Sequence, residues 1–401
     1  MKVILLALSY PDEKTTNSLY KSLMLEMKAN GHTVFVVAPR IGNNKTGLFI
    51  ENGINVLRVK TFKLFNVGII RKGIANVMLP YQYKKSLMFS KFNLDEFDLV
   101  VMPTPPITLM STARWLKRKS NAKLYLILRD IFPQNGVDLD IIKSNSLIHK
   151  YFRKKELDLY KTADSIGCMS QGNIDYIKKH NSWLNESKLH LMPNWEHLPE
   201  LISKENLKLI KAEYGLADKF IVIFGGNMGK PQKLENIVQL AKNCTEIKDM
   251  IFLLIGFGTE KNKIATLVKN ESIANMKVID FIPKKDYNSL LMASDIGLIS
   301  LNENFTIPNF PSKVMSYFGA KVPVLASIDL NTDFGTMLEE TESGFWVEAG
   351  NTKDLKEKLL QLYENLELRK TMSENGYIHM KKNWLPKHAY NRLINEMYYL
   401  K

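Results

Sequence analysis

Cysteine is nearly absent from this sequence of 401 residues, which contains only Cys168 and Cys244. Two cysteines give neither a disulfide framework nor a zinc site, and their scarcity favours a reducing compartment. Long hydrophobic runs are also missing: stretches such as "MIFLLIGF" fall far short of the roughly 20 residues that cross a bilayer. The first apolar run, "KVILLAL", leads into charged residues without a small-residue cleavage site, so we interpret it as a buried strand.

Acidic residues are missing from one long stretch, between Glu51 and Asp95. In this basic segment, 58–92, apolar and aromatic residues are interleaved with Arg58, Lys60, Lys63, Arg71, Lys72, Lys84, Lys85 and Lys91. The net charge of the chain is +14, which predicts an anionic partner: nucleic acid, a phosphorylated metabolite or a membrane surface. In the alternative interpretation, the apolar residues are core and the lysines form a solvated face.

Metal-binding patterns are missing as well. The histidines have no paired ligand spacing, and no pair of aspartates follows a predicted strand in the way that holds a divalent ion. We therefore expect no metal and no other cofactor.

Apolar runs alternate with helical patterns along the whole chain. In the first half, "KVILLAL" is followed by a helix with Leu19, Leu23 and Met27 on one face and then by "HTVFVVAP", which is typical of a βαβ unit. The second half repeats this alternation. The sequence predicts an α/β fold with two Rossmann-like, doubly wound parallel-sheet domains, 1–200 and 201–385, and a final helix at 386–401.

A glycine-rich turn follows the strand "FIVIFGG" of the second half. Glycines let a phosphate approach the backbone, and the side chains of the turn add donors and positive charge. The predicted phosphate-binding residues of this turn are Gly226, Asn227, Gly229, Lys230, Gln232 and Lys233. Alone, a turn of this kind is weak evidence, since it matches neither a P-loop nor GxGxxG.

A second turn of the same half, "TIPNFPSKVMSYFGAKVPVLAS", predicts a helix that begins at Pro311. Free N–H groups of that helix, the Ser312 hydroxyl and the Lys313 ammonium would converge on one anion. The alternative is that Ser312 caps the helix and Lys313 is solvated. Two such turns at strand ends favour a nucleotide diphosphate.

In the first half, "SYPDEKTTNSLY" and "LILRDIFPQ" place polar residues after two strands. The predicted acceptor-side residues are Ser9, Thr15, Thr16, Asn17 and Arg129. Asp130 is a candidate to orient or deprotonate an acceptor hydroxyl. The alternatives are helix capping by Thr16 or Asn17 and a surface ion pair between Arg129 and Asp130.

The ordered set "LSYPDE", "RDIFPQ", "PNW", "GGNMGKPQKLENI", "LIGFGTEKNKI", "DIGLISL", "PSKVMSYFGAKVPVLAS" and "SGFWVEAG" covers nearly the whole chain. It resembles family 4 glycosyltransferases, and most of all the N-acetylfucosaminyltransferase branch of bacterial O-antigen and capsule synthesis. The resemblance implies a GT-B fold with a central cleft, a UDP-sugar in the second domain, an acceptor in the first, no metal, and retention of configuration. It also implies that the last helix returns to the first domain. The residues of the two anion-binding turns, with Pro311, Ser312 and Lys313 in the second, become donor-binding residues, and the resemblance adds Ile282 and Ser316 to this donor-binding set.

This sequence departs from the family pattern in two places. Two glutamates that many relatives carry correspond to Pro308 and Ser316, which leaves an acidic donor contact missing or replaced by Ser316. The Arg and Lys of the first turn correspond to Asn227 and Gln232, so Lys230, Lys233 and Lys313 would supply the charge.

The resemblance, together with the two anion-binding turns, implies a hexosyltransferase in which Lys230 and Lys313 stabilise the departing diphosphate and Asp130 acts on the acceptor. We expect its acceptor to be a lipid-linked saccharide or an oligosaccharide, and we expect the enzyme to be cytoplasmic, resting on the inner membrane face through segment 58–92. No nucleic acid partner is expected. The alternatives are a sugar-nucleotide epimerase of similar shape, or a basic membrane- or nucleic-acid-binding protein without catalysis.

Overall fold

The structure is a computed structural model that describes residues 1–13, 18–42, 44–64 and 67–399. Its contacts divide the chain into two compact units. The first unit comprises Met1–Glu196 and the final segment from Pro386, and the second comprises His197–Leu385.

The first unit is built on one sheet. Its strands are β1 (Lys2–Leu6), β2 (Thr33–Pro39), β3 (Gly47–Glu51), β4 (Ile54–Val59), β5 (Leu99–Pro103), β6 (Lys123–Leu128), β7 (Ser165–Cys168) and β8 (Leu189–Leu191). They lie in the order β3-β4-β2-β1-β5-β6-β7-β8. All neighbours are parallel except β3 and β4, which pair antiparallel at the edge. Continuous apolar runs form the central strands because both faces of a parallel sheet are covered.

Helices cover this sheet, together with 3-10 helices at Ile107–Leu109 and Glu186–Lys188. Those that precede the second unit in the chain are α1 (Leu19–Ala29), α2 (Ile69–Met88), α3 (Met110–Ser120), α4 (Gln134–Asp138), α5 (Leu147–Thr162) and α6 (Gln171–His180).

The hairpin β3–β4 is an element that our strand predictions omit. Its turn is Asn52-Gly53, with φ of 51° and 70°. Asn-Gly is the usual sequence of a tight hairpin turn with left-handed backbone, so the signal is present in the sequence.

The second unit has a fully parallel sheet. Its strands are β9 (Phe220–Asn227), β10 (Met250–Phe257), β11 (Met276–Ile279), β12 (Ile296–Ser300), β13 (Val324–Ile328) and β14 (Gly344–Glu348). The order is β11-β10-β9-β12-β13-β14. Because the direction of winding reverses between β9 and β12, a ligand crevice is expected beyond the carboxyl ends of these two strands.

The helices of the second unit cover both faces of its sheet and close two apolar clusters. They are α7 (Lys204–Glu213), α8 (Glu235–Lys242), α9 (Lys261–Asn270), α10 (Lys284–Met292), α11 (Lys313–Gly319), α12 (Phe334–Glu340), α13 (Thr352–Glu364) and α14 (Leu366–Asn383).

The final helix, α15 (Pro386–Tyr399), belongs to the first unit, where it packs against α1. Ala389, Leu393 and Met397 are buried in the core cluster that also contains β1 and β2 side chains. Within the described ranges, no helix is both long and apolar enough to cross a membrane.

Candidate functional site

The two turns predicted to bind an anion meet at the carboxyl ends of β9 and β12. Gly226 lies at the end of β9, with φ of 109°, and a Cβ atom at this position would lie 3.5 Å from Lys313 Cε. Gly226 and Asn227 are exposed, whereas Gly225 before them is buried. The structure therefore brings Gly226, Asn227 and Lys313 together, as expected for one ligand site at the switch point.

Lys313 carries a charge without a counter-ion. Its Nζ atom lies 4.7 Å from the centre of the Phe224 ring, and no carboxylate of the described residues forms an ion pair with it. Burial lowers the pKa of Lys313 to about 8. A desolvated ammonium beside exposed backbone at a strand end is a site for an anion, because an anion would supply the missing charge partner.

The backbone of the first turn is held in place by glycines on the neighbouring strand. A Cβ atom at Gly256 would overlap Gly226 O, and one at Gly258 would overlap Met228 O. These glycines have φ of 151° and 150°. Met228 N donates to Phe257 O at 2.7 Å, and this close approach fixes where the turn begins.

The side chains of the first turn have different tasks. Gln232 Oε1 accepts a hydrogen bond from Gly229 N at 3.1 Å, so it stabilises the turn. Lys233 pairs with Glu303 at 2.8 Å, which matches its charge within the protein. Lys230 lies in a 3-10 helix, Lys230–Gln232, and is exposed. Lys313 and Lys230 are thus the better candidates for an added anion, and Lys233 is the weaker one.

The second turn differs from its prediction in detail. Helix α11 begins at Lys313, after the predicted start at Pro311, and is only 7 residues long. The Ser312 side chain makes no capping hydrogen bond, and Ser312 is exposed. Its hydroxyl therefore does not cap the N-terminus of the helix, in contrast to the capping alternative. Pro311 is buried, and Ser316 lies partly buried on α11.

Two tyrosines beneath the first turn are residues that the sequence analysis missed. Tyr317 OH accepts from Gly225 N at 3.4 Å and donates to Leu298 O at 2.9 Å. A Cβ atom at Gly225 would overlap Tyr287 OH. Tyr317 follows Lys313 by one helical turn, and this i, i+4 spacing is the signal that would have placed both on one face. Ile282 and Tyr287 both pack against the core cluster that contains Tyr317.

In the first unit, Arg129 and Asp130 follow β6, and Thr104 Oγ1 accepts from both of their backbone N–H groups at 3.0 and 3.3 Å. Asn135 Nδ2 donates to Asp130 Oδ1. Burial raises the pKa of Asp130 to about 6, although the Arg129 charge opposes the rise. Asp130 can thus exchange a proton near neutral pH.

Arg129 is directed toward Tyr20, whose hydroxyl accepts from Nη1 at 3.5 Å. Its Nε is buried and has no hydrogen-bond partner among the residues that the structure describes. No ion pair joins Arg129 to Asp130 there, so the surface-pair alternative does not describe these residues. Ser9 is exposed beyond β1. Thr15, Thr16 and Asn17 lie outside the described residues.

The basic segment 58–92 contains one residue that does not belong to a basic surface. Arg58 is 4% exposed and forms an ion pair with Glu51 at 2.6 Å. It also donates to Tyr10 O at 2.6 Å. The interpretation of Arg58 as a surface cation is wrong, because its charge is matched inside the first unit. Phe65 and Asn66 lie outside the described residues.

For metal ions, the described part of the chain holds no group of three or more His, Cys, Asp or Glu side chains that could bind one.

Residues 207–379 match the family Glycosyl transferases group 1. The matched range lies in the second unit, which contains Lys313 and the glycine-rich turn.

Two similar proteins can be aligned with most of the chain. The "Probable glycosyltransferase WbjE" of Pseudomonas aeruginosa is 25% identical over 283 residues, which are 69% of this chain and 68% of that protein. The "Putative colanic acid biosynthesis glycosyl transferase WcaI" of Escherichia coli (strain K12) is 21% identical over 372 residues, 84% of this chain and 86% of that protein.

The fold is also found among solved structures. The structure of Alr3699/HepE of Anabaena, in complex with UDP and glucose, superposes with a TM-score of 0.72 and 15% identity over 98% of both chains. The fold is GT-B, with two Rossmann-like α/β domains, as in solved glycosyltransferase structures. Together with the family match, it supports a glycosyltransferase similar to those of family 4.

Proposed function

We propose that this protein is a retaining glycosyltransferase that moves a sugar from a UDP-sugar to a lipid-linked saccharide or an oligosaccharide in bacterial capsule or O-antigen synthesis. The observation that carries the proposal is the unpaired, partly buried Lys313 ammonium against Gly226 at the switch point of the second unit. The name of WcaI refers to colanic acid, a polysaccharide, and HepE was solved with UDP. The resemblance to N-acetylfucosaminyltransferases favours an N-acetylated sugar.

On the donor side, breaking the bond between the sugar and the diphosphate leaves negative charge on the diphosphate. Lys313 is fixed against Phe224 and Gly226 before the substrate arrives, so little reorganisation is needed as this charge develops. Backbone N–H groups near Gly226 and Asn227 and the exposed Lys230 would add to this stabilisation. In this proposal the protein's own cations stabilise the charge of the leaving diphosphate, as a divalent ion does in other transferases.

On the acceptor side, Asp130 is the candidate to accept the proton of the attacking hydroxyl. Its pKa of about 6 leaves most of the carboxyl ionised at neutral pH while keeping it basic enough to take a proton. In a retaining transfer the leaving diphosphate departs from the face that the hydroxyl attacks, so an oxygen of the diphosphate is the competing proton acceptor. Asn135 and Thr104 would hold Asp130 in position.

A panel of nucleotide sugars tests the proposal. The purified chain is incubated with UDP-, GDP-, ADP- and TDP-sugars, with and without undecaprenyl-diphosphate-linked saccharides, and the released nucleotide and the lipid products are measured. We expect release of UDP that depends on the acceptor, and a product with retained anomeric configuration. A chain that binds none of the UDP compounds would overturn the proposal, and conversion of a UDP-sugar without acceptor would point to an epimerase.

A further inference from the structure

Helix α2 has one apolar face that the described part of the chain leaves exposed. Ile70, Ile74, Val77, Met78 and Tyr81 follow each other at helical spacing and are exposed, with Ile70 at 80%. The opposite face buries Leu79, Tyr83 and Leu87 in the first unit. Exposure of isoleucine and tyrosine side chains at repeated helical positions is unfavourable in water, which indicates that something apolar covers this face.

A second segment of the same kind begins α5, and the sequence analysis did not single it out. Leu147 is 85% exposed, and Ile148 and Tyr151 next to it are exposed as well. No acidic residue occurs between Asp140 and Glu156, a stretch that contains Lys143, Lys150, Arg153, Lys154 and Lys155. Like the basic segment, this stretch combines exposed apolar side chains with excess positive charge.

The fold places both segments on one side of the first sheet. The connections from β4 through α2 to β5, from β5 through α3 to β6, and from β6 through α5 to β7 all advance in one direction across the sheet. Right-handed crossovers that advance in one direction lie on one face, and α1, which connects β1 back to β2, lies on the other.

Helix α3 joins the two segments. Thr112 Oγ1 donates to Pro80 O of α2 at 3.0 Å. Arg114 Nη2 donates to Thr162 Oγ1 of α5 at 2.9 Å. The exposed apolar residues of α2 and α5 therefore belong to one continuous layer of helices.

Several cations of α2 and α5 lack a partner of opposite sign, whereas Arg153 of α5 pairs with Glu156. Arg71, Lys72, Lys85, Lys150 and Lys154 form no ion pair within the residues that the structure describes. Lys84 lies over the Trp115 ring at 5.1 Å and Lys155 over the Tyr151 ring at 5.5 Å. Apolar side chains surrounded by unpaired lysines match the boundary between the acyl chains and the anionic headgroups of a bilayer.

We propose that the exposed face of α2 and the first turns of α5 form one surface that docks on an anionic lipid bilayer. This docking surface consists of Ile70, Arg71, Lys72, Ile74, Val77, Met78, Tyr81 and Lys85 on α2, and Leu147, Ile148, Lys150, Tyr151 and Lys154 on α5. A second copy of the chain is disfavoured as the occupant because two surfaces of the same charge repel each other. Nucleic acid would match the lysines but would leave Ile70, Ile74 and Leu147 in water.

Co-sedimentation with vesicles tests the proposal on the full chain and needs no nucleotide, so its outcome is independent of the proposed transferase activity. Binding is compared on vesicles of phosphatidylcholine alone and on vesicles that also contain phosphatidylglycerol. We expect binding only with phosphatidylglycerol, and a decrease as salt is raised.

Paired variants locate the surface. Lys150→Gln with Lys154→Gln should weaken binding by about fivefold per lysine removed. Two apolar double variants should each weaken binding about tenfold or more: Leu147→Ser with Ile148→Ser, and Ile70→Ser with Ile74→Ser. The loss is smaller than that of fully burying each side chain, because an interface buries only part of it.

The matched control is Lys208→Gln with Leu209→Ser on α7, where both residues are exposed, and it should bind as the unmodified chain does. Circular dichroism and thermal unfolding confirm that each variant is folded.

Several outcomes would overturn the proposal. These are equal binding to neutral and anionic vesicles, α5 variants that bind like the unmodified chain, and loss of binding in the α7 control. Salt-sensitive RNA binding without vesicle binding would assign the surface to nucleic acid. A dimer in analytical ultracentrifugation that Ile70→Ser with Ile74→Ser dissociates would assign it to a second copy.

Discussion

The Nζ atom of Lys313 lies 4.7 Å from the centre of the Phe224 ring, at the point where β9 ends. A cation over an aromatic face gains about 0.5 to 2 kcal/mol, which is less than the cost of desolvating an ammonium. The free protein thus retains an unfavourable interaction that a bound anion would relieve. Uncompensated charge of this kind is typical of functional sites rather than of structural lysines.

Replacing Lys313 with methionine should separate function from stability. Lys313→Met keeps a long apolar side chain against Phe224 and removes the charge, so we expect kcat/KM to fall by about a hundredfold or more. UDP affinity should fall in parallel, since the diphosphate carries the charge that Lys313 matches. Thermal unfolding should occur at the same temperature or a higher one, because a desolvated charge has been removed. Steady-state kinetics, calorimetric titration with UDP and thermal scans measure the three effects.

Lys358 provides the matched control. Its Nζ lies over the Phe345 ring at 4.8 Å, a similar cation–ring contact in the same unit. Lys358→Met should leave kcat/KM and UDP affinity unchanged. Equal losses in both variants, or normal transfer by Lys313→Met, would remove Lys313 from the donor site.

The stability of the protein should depend on pH through Lys313. Its pKa is about 8 in the folded protein and near the usual 10.5 in the unfolded chain. Below pH 8 both states are charged, so the folded state carries the full cost of desolvation. Between about 8 and 10.5 the folded state loses the proton first, so the contribution of Lys313 becomes less destabilising as pH rises. The stability advantage of Lys313→Met over the unmodified chain should therefore be largest at neutral pH and shrink toward pH 10.

Urea unfolding of Lys313→Met and of the unmodified chain at neutral pH and at pH 10 measures this difference. Because both chains contain all other titrating groups, the contribution of those groups cancels in the comparison.

UDP affinity of the unmodified chain should fall as pH rises through about 8, because the neutral amine no longer attracts the diphosphate. A difference between the two chains that does not change with pH would show that Lys313 keeps an ordinary pKa.

Asp130 should set the acidic limb of the pH profile. Because burial raises its pKa to about 6, protonation below that pH removes the proposed base, and kcat/KM should fall as pH decreases through about 6. Asp130→Asn should lower kcat by a factor of about 10² to 10⁴ and abolish this limb. UDP affinity should not change. A limb near pH 6 that persists in Asp130→Asn would assign the proton to another acceptor, such as an oxygen of the leaving diphosphate.

The glycine-rich turn and the "PSK" turn were predictable because each follows a continuous apolar strand, and the ends of parallel strands meet at one edge. The alternation of the two halves also predicts the doubly wound fold. The GT-B fold was predicted from the family resemblance of the ordered motifs, and the solved structures confirm this prediction.

Other features depend on contacts between distant segments. The pairing of Lys233 with Glu303 joins residues that no local pattern connects. The burial of Arg58 depends on Glu51 and on the carbonyl of Tyr10. The start of α11 at Lys313 shifts from the predicted Pro311 because proline and serine favour the first helical turn without fixing its position.

Gly256 offers a test of the close approach between β10 and the first turn. Its φ is 151°, and a Cβ atom there would overlap Gly226 O, so Gly256→Ala must displace the backbone beside Lys313. Gly350 has φ of 91° and nothing within 4 Å of a built Cβ atom, so Gly350→Ala introduces backbone strain without overlap. We expect Gly350→Ala to cost about 1 kcal/mol of stability with unchanged UDP affinity. Gly256→Ala should cost about 3 kcal/mol or more and weaken UDP binding at least about tenfold. Urea unfolding and calorimetry measure both, and normal UDP affinity in a folded Gly256→Ala variant would show that the position of Gly226 does not matter for the donor.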